Sequence, residues 1–166
     1  MTTTFSGLNP DELAQVLAHG IDHAGNPVTP FVDNDGGWPL RCCLTDSAPG
    51  EQLAIIAFSN FPWTSAYRTT GPVVVHAEPC AGSSGDYPVQ FEARDQVVRA
   101  YGRDGGRERA LVYDLNTLVP AGGGLADEIE RILADPRVEF VQAANVLAGC
   151  YSFTARHNGG HDLVSE

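Results

Sequence analysis

The segment that ends at His76 carries the side chains best suited to chemistry. Residues 73–75 are valines that lead to His76, and Pro79 and Cys80 follow. Histidine suits proton transfer and metal binding near neutral pH. The alternative is a strand-end histidine that bonds only backbone or water. We predict that His76 is a catalytic residue whose side chain lies within reach of Arg41, Cys43 or Cys150.

The four cysteines, Cys42, Cys43, Cys80 and Cys150, allow two further chemistries. Cys43 or Cys150 is a candidate catalytic nucleophile if His76 lowers its pKa. Alternatively, Cys42 or Cys43 together with His76, Cys80 and Cys150 offers four ligands of the type that Zn²⁺ prefers. Otherwise each cysteine is a small buried hydrophobe.

The spacing of the cysteines favours a protein with free thiols and no metal. The sequence contains no CxxC motif. Cys42 and Cys43 are adjacent in a segment, "LRCCLTD", that we predict to be a strand, where neighbouring side chains point to opposite faces. Zinc therefore remains the alternative prediction.

Two arginines are candidates for anchoring an anionic substrate. Arg41 and Arg68 stand on separate segments, and guanidinium groups bind carboxylate or phosphate through two parallel hydrogen bonds. Tyr67 and Asn145 complete the predicted substrate-binding residues. The alternative for the arginines is surface pairing with the many acidic side chains.

The composition restricts the possible partners. The chain has 166 residues, with 10 Lys and Arg against 21 Asp and Glu, for a formal net charge of −11. An acidic surface argues against nucleic acid and anionic membranes. The first residues do not resemble a signal peptide, and no apolar stretch is long enough to span a bilayer. We predict a cytoplasmic protein whose partner is a small molecule.

The order of predicted elements indicates the fold class. A helix is predicted in "NPDELAQVLAHG", with Asn9 as its cap, and a second in "LADEIERILAD". Strands are predicted in "QLAIIAFSNF", "GPVVVHAE", "RVEFVQAAN" and "CYSFTARH", and a hairpin joins "QVVRAYG" to "ALVYDLNTLV". We predict one α+β domain over residues 1–166 with a mainly antiparallel sheet and two principal helices. Residues 21–39 are a predicted long loop, and residues 157–166 a frayed tail.

Four segments in series resemble a known family. "PLRCCLTDSAPGE", "GPVVVHAEPCAG", "YPVQFEARDQVVRAYGRDG" and "DPRVEFVQAANVLAGCYSF" are similar to the bacterial domain of unknown function 1203, over roughly residues 5–156. The resemblance implies a stand-alone bacterial domain and supplies no activity. Relatives often carry His and Arg where this chain has Gln142 and Ala144, while Asn145 is retained.

The leading functional hypothesis is a small enzyme that acts on an anionic metabolite. Nucleotide-binding and hydrolase motifs are absent from the sequence, which favours a lyase, isomerase or cyclase without an organic cofactor. A non-catalytic ligand-binding or protein-interaction module is the alternative. An enzyme is expected to bring His76 and an arginine together in a concave site.

Overall fold

The computed structural model describes residues 2–158 as two α-helices and nine strands. The helices are α1 (Pro10–His19) and α2 (Leu125–Leu133). The strands are β1 (Thr3–Ser6), β2 (Phe31–Asp33), β3 (Glu51–Ser59), β4 (Thr70–His76), β5 (Gln96–Asp104), β6 (Arg107–Leu111), β7 (Thr117–Val119), β8 (Val138–Asn145) and β9 (Tyr151–His157). In this part of the chain, no helix is long and apolar enough to cross a membrane.

The strands form two antiparallel sheets. The larger sheet has the order β1-β9-β8-β5-β6, with β7 also paired to β5, and the smaller sheet has the order β2-β3-β4. In the small sheet Leu53 of β3 pairs with His76 of β4. The β3–β4 pairing therefore brings the start of β3 beside the end of β4, which carries His76.

Each sheet has a helix packed against it. Helix α2 buries Leu125, Ile129, Ile132 and Leu133 in the core of the large sheet. Helix α1 contributes Leu13 and Val16 to a second core, which is formed with β3 and β4. The apolar residues of both helices recur every three to four positions, so each helix presents one apolar stripe to its core.

Both helix starts are capped by an acceptor side chain. Asn9 accepts hydrogen bonds from the backbone N–H groups of Asp11 and Glu12 at 2.9 and 3.2 Å. At α2 the Glu92 carboxylate accepts from Leu125 N and Ala126 N, both at 3.3 Å. A carboxylate of the chain itself thus occupies the positive end of α2.

The α+β fold with antiparallel sheets and two principal helices is confirmed. The predicted strand in "LRCCLTD" is wrong, because residues 41–43 form a turn. The predicted loop 21–39 contains the short strand β2, and β1 at the N-terminus was not predicted. His157 belongs to β9 and pairs with Thr3, so the predicted frayed tail begins too early. The rest of that tail, from residue 159 onward, lies outside the described residues.

Truncation of Ile129 tests the packing of α2. Ile129 is fully buried at 0 % exposure. We expect Ile129→Ala to reduce the free energy of unfolding by about 2–5 kcal/mol, because the substitution leaves a cavity. Leu118→Ala is the control, since Leu118 is 57 % exposed. Urea unfolding measures both variants, and equal losses would show that α2 does not pack as described.

Candidate functional site

The turn that carries Cys42 and Cys43 lies against the free edge of β4. Arg41 N donates to Val74 O at 2.9 Å, and Leu44 N closes the turn on Leu40 O at 3.0 Å. Leu44 has a positive φ of 61°, which is uncommon for a residue other than glycine. Its side chain is buried in the core of the large sheet, which holds the turn in place. Both cysteines are thereby brought to the end of β4.

Three thiols and one imidazole meet at this point. Cys42 Sγ lies 3.4 Å from His76 Nδ1, and Cys43 Sγ lies 3.9 Å from the same atom. The two sulfur atoms are 3.9 Å apart, which is much longer than a disulfide bond of about 2.05 Å. Cys80 completes the group, and the four ligand atoms of the group all lie within 4.8 Å of one another. We call Cys42, Cys43, His76 and Cys80 the thiol–imidazole cluster.

Further hydrogen bonds orient the cluster. His76 Nε2 lies 3.3 Å from Glu51 Oε1, on the side of the ring opposite the thiols. Glu51 itself accepts from Ala48 N at 2.9 Å, and this bond is the main reason that the pKa of Glu51 is lowered. The backbone N–H of His76 donates to Cys42 Sγ at 3.4 Å, and the Thr45 hydroxyl hydrogen-bonds Cys43 Sγ at 3.1 Å.

The hydrogen bond between the two adjacent thiols shifts their pKa values in opposite directions. The pKa of Cys43 is lowered, first because the Cys42 thiol donates to it and then because Thr45 and His76 stabilise its thiolate. The same bond, together with burial, raises the pKa of Cys42. Of the two sulfur atoms, that of Cys43 is therefore the one favoured as a thiolate.

An open pocket of about 340 Å³ adjoins the cluster. It is lined by Glu51, Gln52, His76, Glu78, Pro79 and Cys80. The two carboxylates on its wall favour a cation over an anion. This pocket gives the imidazole and the Cys80 thiol access to solvent.

The structure brings only some of the predicted site residues together. His76 lies within reach of Cys43, as expected, and Cys80 joins them. The alternative zinc set named Cys150 as a ligand, whereas in the cluster Cys42 takes that place. This difference follows from the turn, because it puts both adjacent thiols on one side of the backbone.

Cys150, Arg41 and Asn145 line a different pocket. It has a volume of about 280 Å³ and mostly apolar walls. Arg41 Nη2 donates to Cys150 Sγ at 3.2 Å. Burial lowers the pKa of Arg41, and the Cys150 sulfur acts in the opposite direction. Because its side chain is held at this second pocket, Arg41 does not line the pocket beside His76.

Tyr67 and Arg68 lie elsewhere. Tyr67 packs edge-on against Tyr113 and belongs to an aromatic cluster with Phe61. Arg68 is exposed in a turn whose backbone bonds to Ser65. Neither residue lines the pocket beside His76 or the pocket beside Cys150.

The sequence interpretation missed Glu51. The signal lies in the pairing of β3 and β4, which sets Leu53 opposite His76. For a residue on one strand, the residue two positions along from its direct cross-strand partner is a diagonal neighbour on the same face. Glu51 stands in that relation to His76, but the register becomes known only with the structure.

The fold and the site define a small α+β protein with a partly exposed cluster of three thiols and one imidazole. The family model described as "Protein of unknown function (DUF1203)" matches residues 37–157, and the chain belongs to this family. The matched region includes the thiol–imidazole cluster and the pocket beside Cys150. No curated protein and no solved structure matches the chain.

Proposed function

We propose that this protein binds one zinc ion through Cys42, Cys43, His76 and Cys80. The observation that carries the proposal is the convergence of four ligand atoms within 4.8 Å of one another. They come from the 40–45 turn, the end of β4 and the loop that follows it. Three thiolates and a neutral imidazole are a common ligand set for tetrahedral Zn²⁺.

The distances within the cluster fit a tetrahedral site. Zn–S bonds of about 2.3 Å and Zn–N bonds of about 2.0–2.1 Å place two sulfurs about 3.8 Å apart, and a sulfur about 3.6 Å from a nitrogen. The Cys42–Cys43 sulfur separation is 3.9 Å, and the sulfur–Nδ1 separations are 3.4 and 3.9 Å. These three atoms need to shift by only a few tenths of an ångström to hold the ion, and Cys80, whose sulfur lies within 4.8 Å of the other ligand atoms, moves toward it by up to about 1 Å.

The surroundings support a metal as well. Glu51 on Nε2 fixes the ring with Nδ1 facing the thiols, as carboxylates commonly do for histidine ligands. The hydrogen bonds to Cys42 Sγ and Cys43 Sγ stabilise thiolates. Four protein ligands leave no position for a water molecule, which is typical of a structural site and not of a hydrolytic one.

Metal content and cobalt substitution test the proposal. We expect the protein, purified under reducing conditions and dialysed, to retain one zinc per chain. Co²⁺ in its place should give the visible bands of a tetrahedral thiolate site. Cys80→Ala and Cys42→Ala should lose both signals, whereas the control Cys150→Ala should keep them. Absence of stoichiometric metal in the wild type, or equal loss in Cys150→Ala, contradicts the proposal.

Glu51→Gln tests how much the orientation of the His76 ring contributes to zinc affinity, because it removes none of the four ligands. The amide keeps the shape of the carboxylate but not its charge, so the ring is oriented less firmly. We expect zinc affinity to fall about 10–100-fold, with stoichiometry unchanged at saturating metal. Competition with a chromogenic chelator measures the affinity. The matched control is Glu108→Gln, because Glu108 is an exposed acid paired with Arg103 at 3.0 Å.

A second candidate function is supported by the same geometry. The Cys43 thiolate, His76 and Glu51 follow one another as nucleophile, base and orienting carboxylate, at 3.9 and 3.3 Å. In that case the protein is a metal-free enzyme of the lyase, isomerase or cyclase type, but without the arginine that the sequence analysis expected beside His76. Zinc binding that blocks alkylation of Cys43 favours the first candidate, and rapid alkylation of Cys43 in the presence of zinc favours the second.

A reducing, cytoplasmic location and a small-molecule partner are parts of the same proposal. Both candidates require Cys42 and Cys43 to remain thiols, and reduced thiols persist in the cytoplasm. The acidic wall formed by Glu51 and Glu78 favours a cationic partner at this pocket over the anionic metabolite expected from the sequence.

A further inference from the structure

We propose that the face of the large sheet turned away from α2 carries a second site, which binds a small organic anion through Arg99. Two adjoining cavities of about 190 and 340 Å³ form this site, and we call them together the large-sheet cleft. No member of the thiol–imidazole cluster lines either cavity, so the proposal does not depend on zinc. Arg41 and Arg68, which the sequence analysis assigned to an anionic substrate, do not line the cleft either.

Strand pairing places Arg99 on the floor of the large-sheet cleft. The register sets Arg99 of β5 opposite Gln142 of β8, and Gln142 opposite Thr154 of β9. The neighbouring residues Val98 and Val141 belong to the core that packs under α2. Because side chains alternate along a strand, Arg99, Gln142 and Thr154 face away from α2. Arg99 accordingly lines the smaller cavity, Thr154 lines the larger one, and Gln142 lines both.

Arg99 is partly buried and has no counter-charge in the described part of the chain. Within residues 2–158 its guanidinium forms neither an ion pair nor a side-chain hydrogen bond. Acids are not scarce, since 21 Asp and Glu stand against 10 Lys and Arg. Arg103, four residues further along the same strand, pairs with Glu108 at 3.0 Å. A cation that is partly removed from water without a protein carboxylate favours an anion from solution.

The walls of the cleft offer little competition for that cation. Of the described residues that line the smaller cavity, none is Asp or Glu. The larger cavity has one acid, Glu12 of α1, and one further cation, Arg156. The Arg156 guanidinium lies over the Phe140 ring, 5.1 Å from its centroid. The cleft is therefore more positive than the rest of a chain with a formal net charge of −11, and it attracts anions.

Hydrogen bonds fix the floor of the cleft and show which donors remain for a ligand. Gln142 Nε2 donates to Asn60 O at 2.8 Å and to Thr154 Oγ1 at 3.3 Å, while Gln142 Oε1 accepts from Asn60 Nδ2 at 2.9 Å. The Tyr151 hydroxyl bonds to Thr154 Oγ1 at 2.8 Å. Because these groups satisfy one another, the donors that remain are those of Arg99. Its planar guanidinium matches a carboxylate or phosphate through two parallel hydrogen bonds.

The larger cavity indicates a small ligand with a polar body. Its volume of about 340 Å³ lies at the lower end of the range of about 300–1,000 Å³ that is usual for ligand sites. Its lining includes the hydroxyls of Ser59 and Ser83 and the rings of Phe61 and Trp63. An organic acid matches this lining when its carboxylate or phosphate lies at Arg99 and the remainder of the molecule extends into the larger cavity.

Succinate and succinamide test the need for charge, because both have the same carbon chain. In two-dimensional NMR at constant ionic strength, we expect succinate to shift the signals of Arg99 Nε–H and of the Gln142 and Gly149 amides, which line the smaller cavity. A dissociation constant of about 1 mM or lower is expected, with succinamide at least about tenfold weaker. Inorganic phosphate is the second probe: shifts with both anions assign the site to oxyanions, and shifts with succinate alone assign it to carboxylates. Equal shifts with succinamide, no shifts with either anion, or shifts confined to Gln52 and Glu78 overturn the proposal.

Arg99→Gln tests whether this residue carries the recognition. We expect succinate affinity to fall at least about tenfold, because the charge-assisted hydrogen bonds are lost. Arg103→Gln is the matched control, since it makes the same charge change on the same strand but lines neither cavity. Arg99→Gln should move the thermal unfolding midpoint by no more than about 3 °C, because Arg99 has no partner within residues 2–158 to lose. Unchanged affinity in folded Arg99→Gln, or equal losses in the two variants, overturns the proposal. If Arg99→Gln does not fold, the comparison of succinate with succinamide in the wild type decides.

Discussion

Zinc at about one hundred times its dissociation constant is expected to raise the free energy of unfolding by about 2.7 kcal/mol. The three segments that carry the ligands are joined by the ion only in the folded chain, so zinc stabilises the folded state. For a protein of this size the midpoint of thermal unfolding should rise by roughly 5–10 °C. Differential scanning calorimetry with and without added zinc measures the shift.

The cysteine variants provide the controls for this shift. Cys80→Ala should abolish the zinc-dependent increase, because only three ligands of the cluster remain. Cys150→Ala should retain it, since Cys150 contacts Arg41 and not the cluster. An increase of equal size in Cys80→Ala would mean that zinc stabilises the chain from another site.

Gly7→Ala is expected to reduce the free energy of unfolding by about 1–3 kcal/mol or more. A methyl group at Gly7 would lie 2.1 Å from Arg41 O and 3.3 Å from Cys42 O, so the backbone of the turn must move. Leu8 N donates to the same Arg41 carbonyl at 2.9 Å, and that bond would be strained. Urea unfolding of the metal-free protein measures the loss.

The same substitution should weaken zinc binding, because Arg41 precedes Cys42 and Cys43 in the turn. We expect at least a tenfold loss in zinc affinity, as is usual for substitutions of residues that orient metal ligands. Gly71→Ala is the control. Gly71 lies in β4, yet an added methyl group there would meet nothing within 4 Å. Stability should change by no more than about 0.5 kcal/mol in that variant. Similar effects of the two alanines would contradict the close approach at Gly7.

The helices and most strands could be predicted because their determinants are local. Asn9 caps α1 through neighbouring N–H groups, and the apolar spacing of α2 repeats within its own nine residues. The apolar runs of β3, β4, β8 and β9 are also read directly from the chain. These features were sufficient for the α+β class with antiparallel sheets.

The 40–45 turn shows where local reasoning failed. "LRCCL" has the apolar pattern of a strand, but the turn is stabilised by contacts with distant residues. Arg41 N bonds to Val74 O, and Leu44 is held at positive φ by a core built largely from later parts of the chain. The cost of an unusual φ at leucine is small beside the gain from burying its side chain.

The sequence by itself determined the fold class and the presence of His76 at the end of an apolar strand, because patterns within single segments specify both. Only the tertiary structure decided which thiols His76 meets. Cys42, Cys43 and Cys150 have the same side chain. Their neighbours depend on how β4 and the β8–β9 hairpin meet the 40–45 turn. Such contacts join residues more than thirty positions apart. They follow from packing of the whole chain, which no single segment encodes.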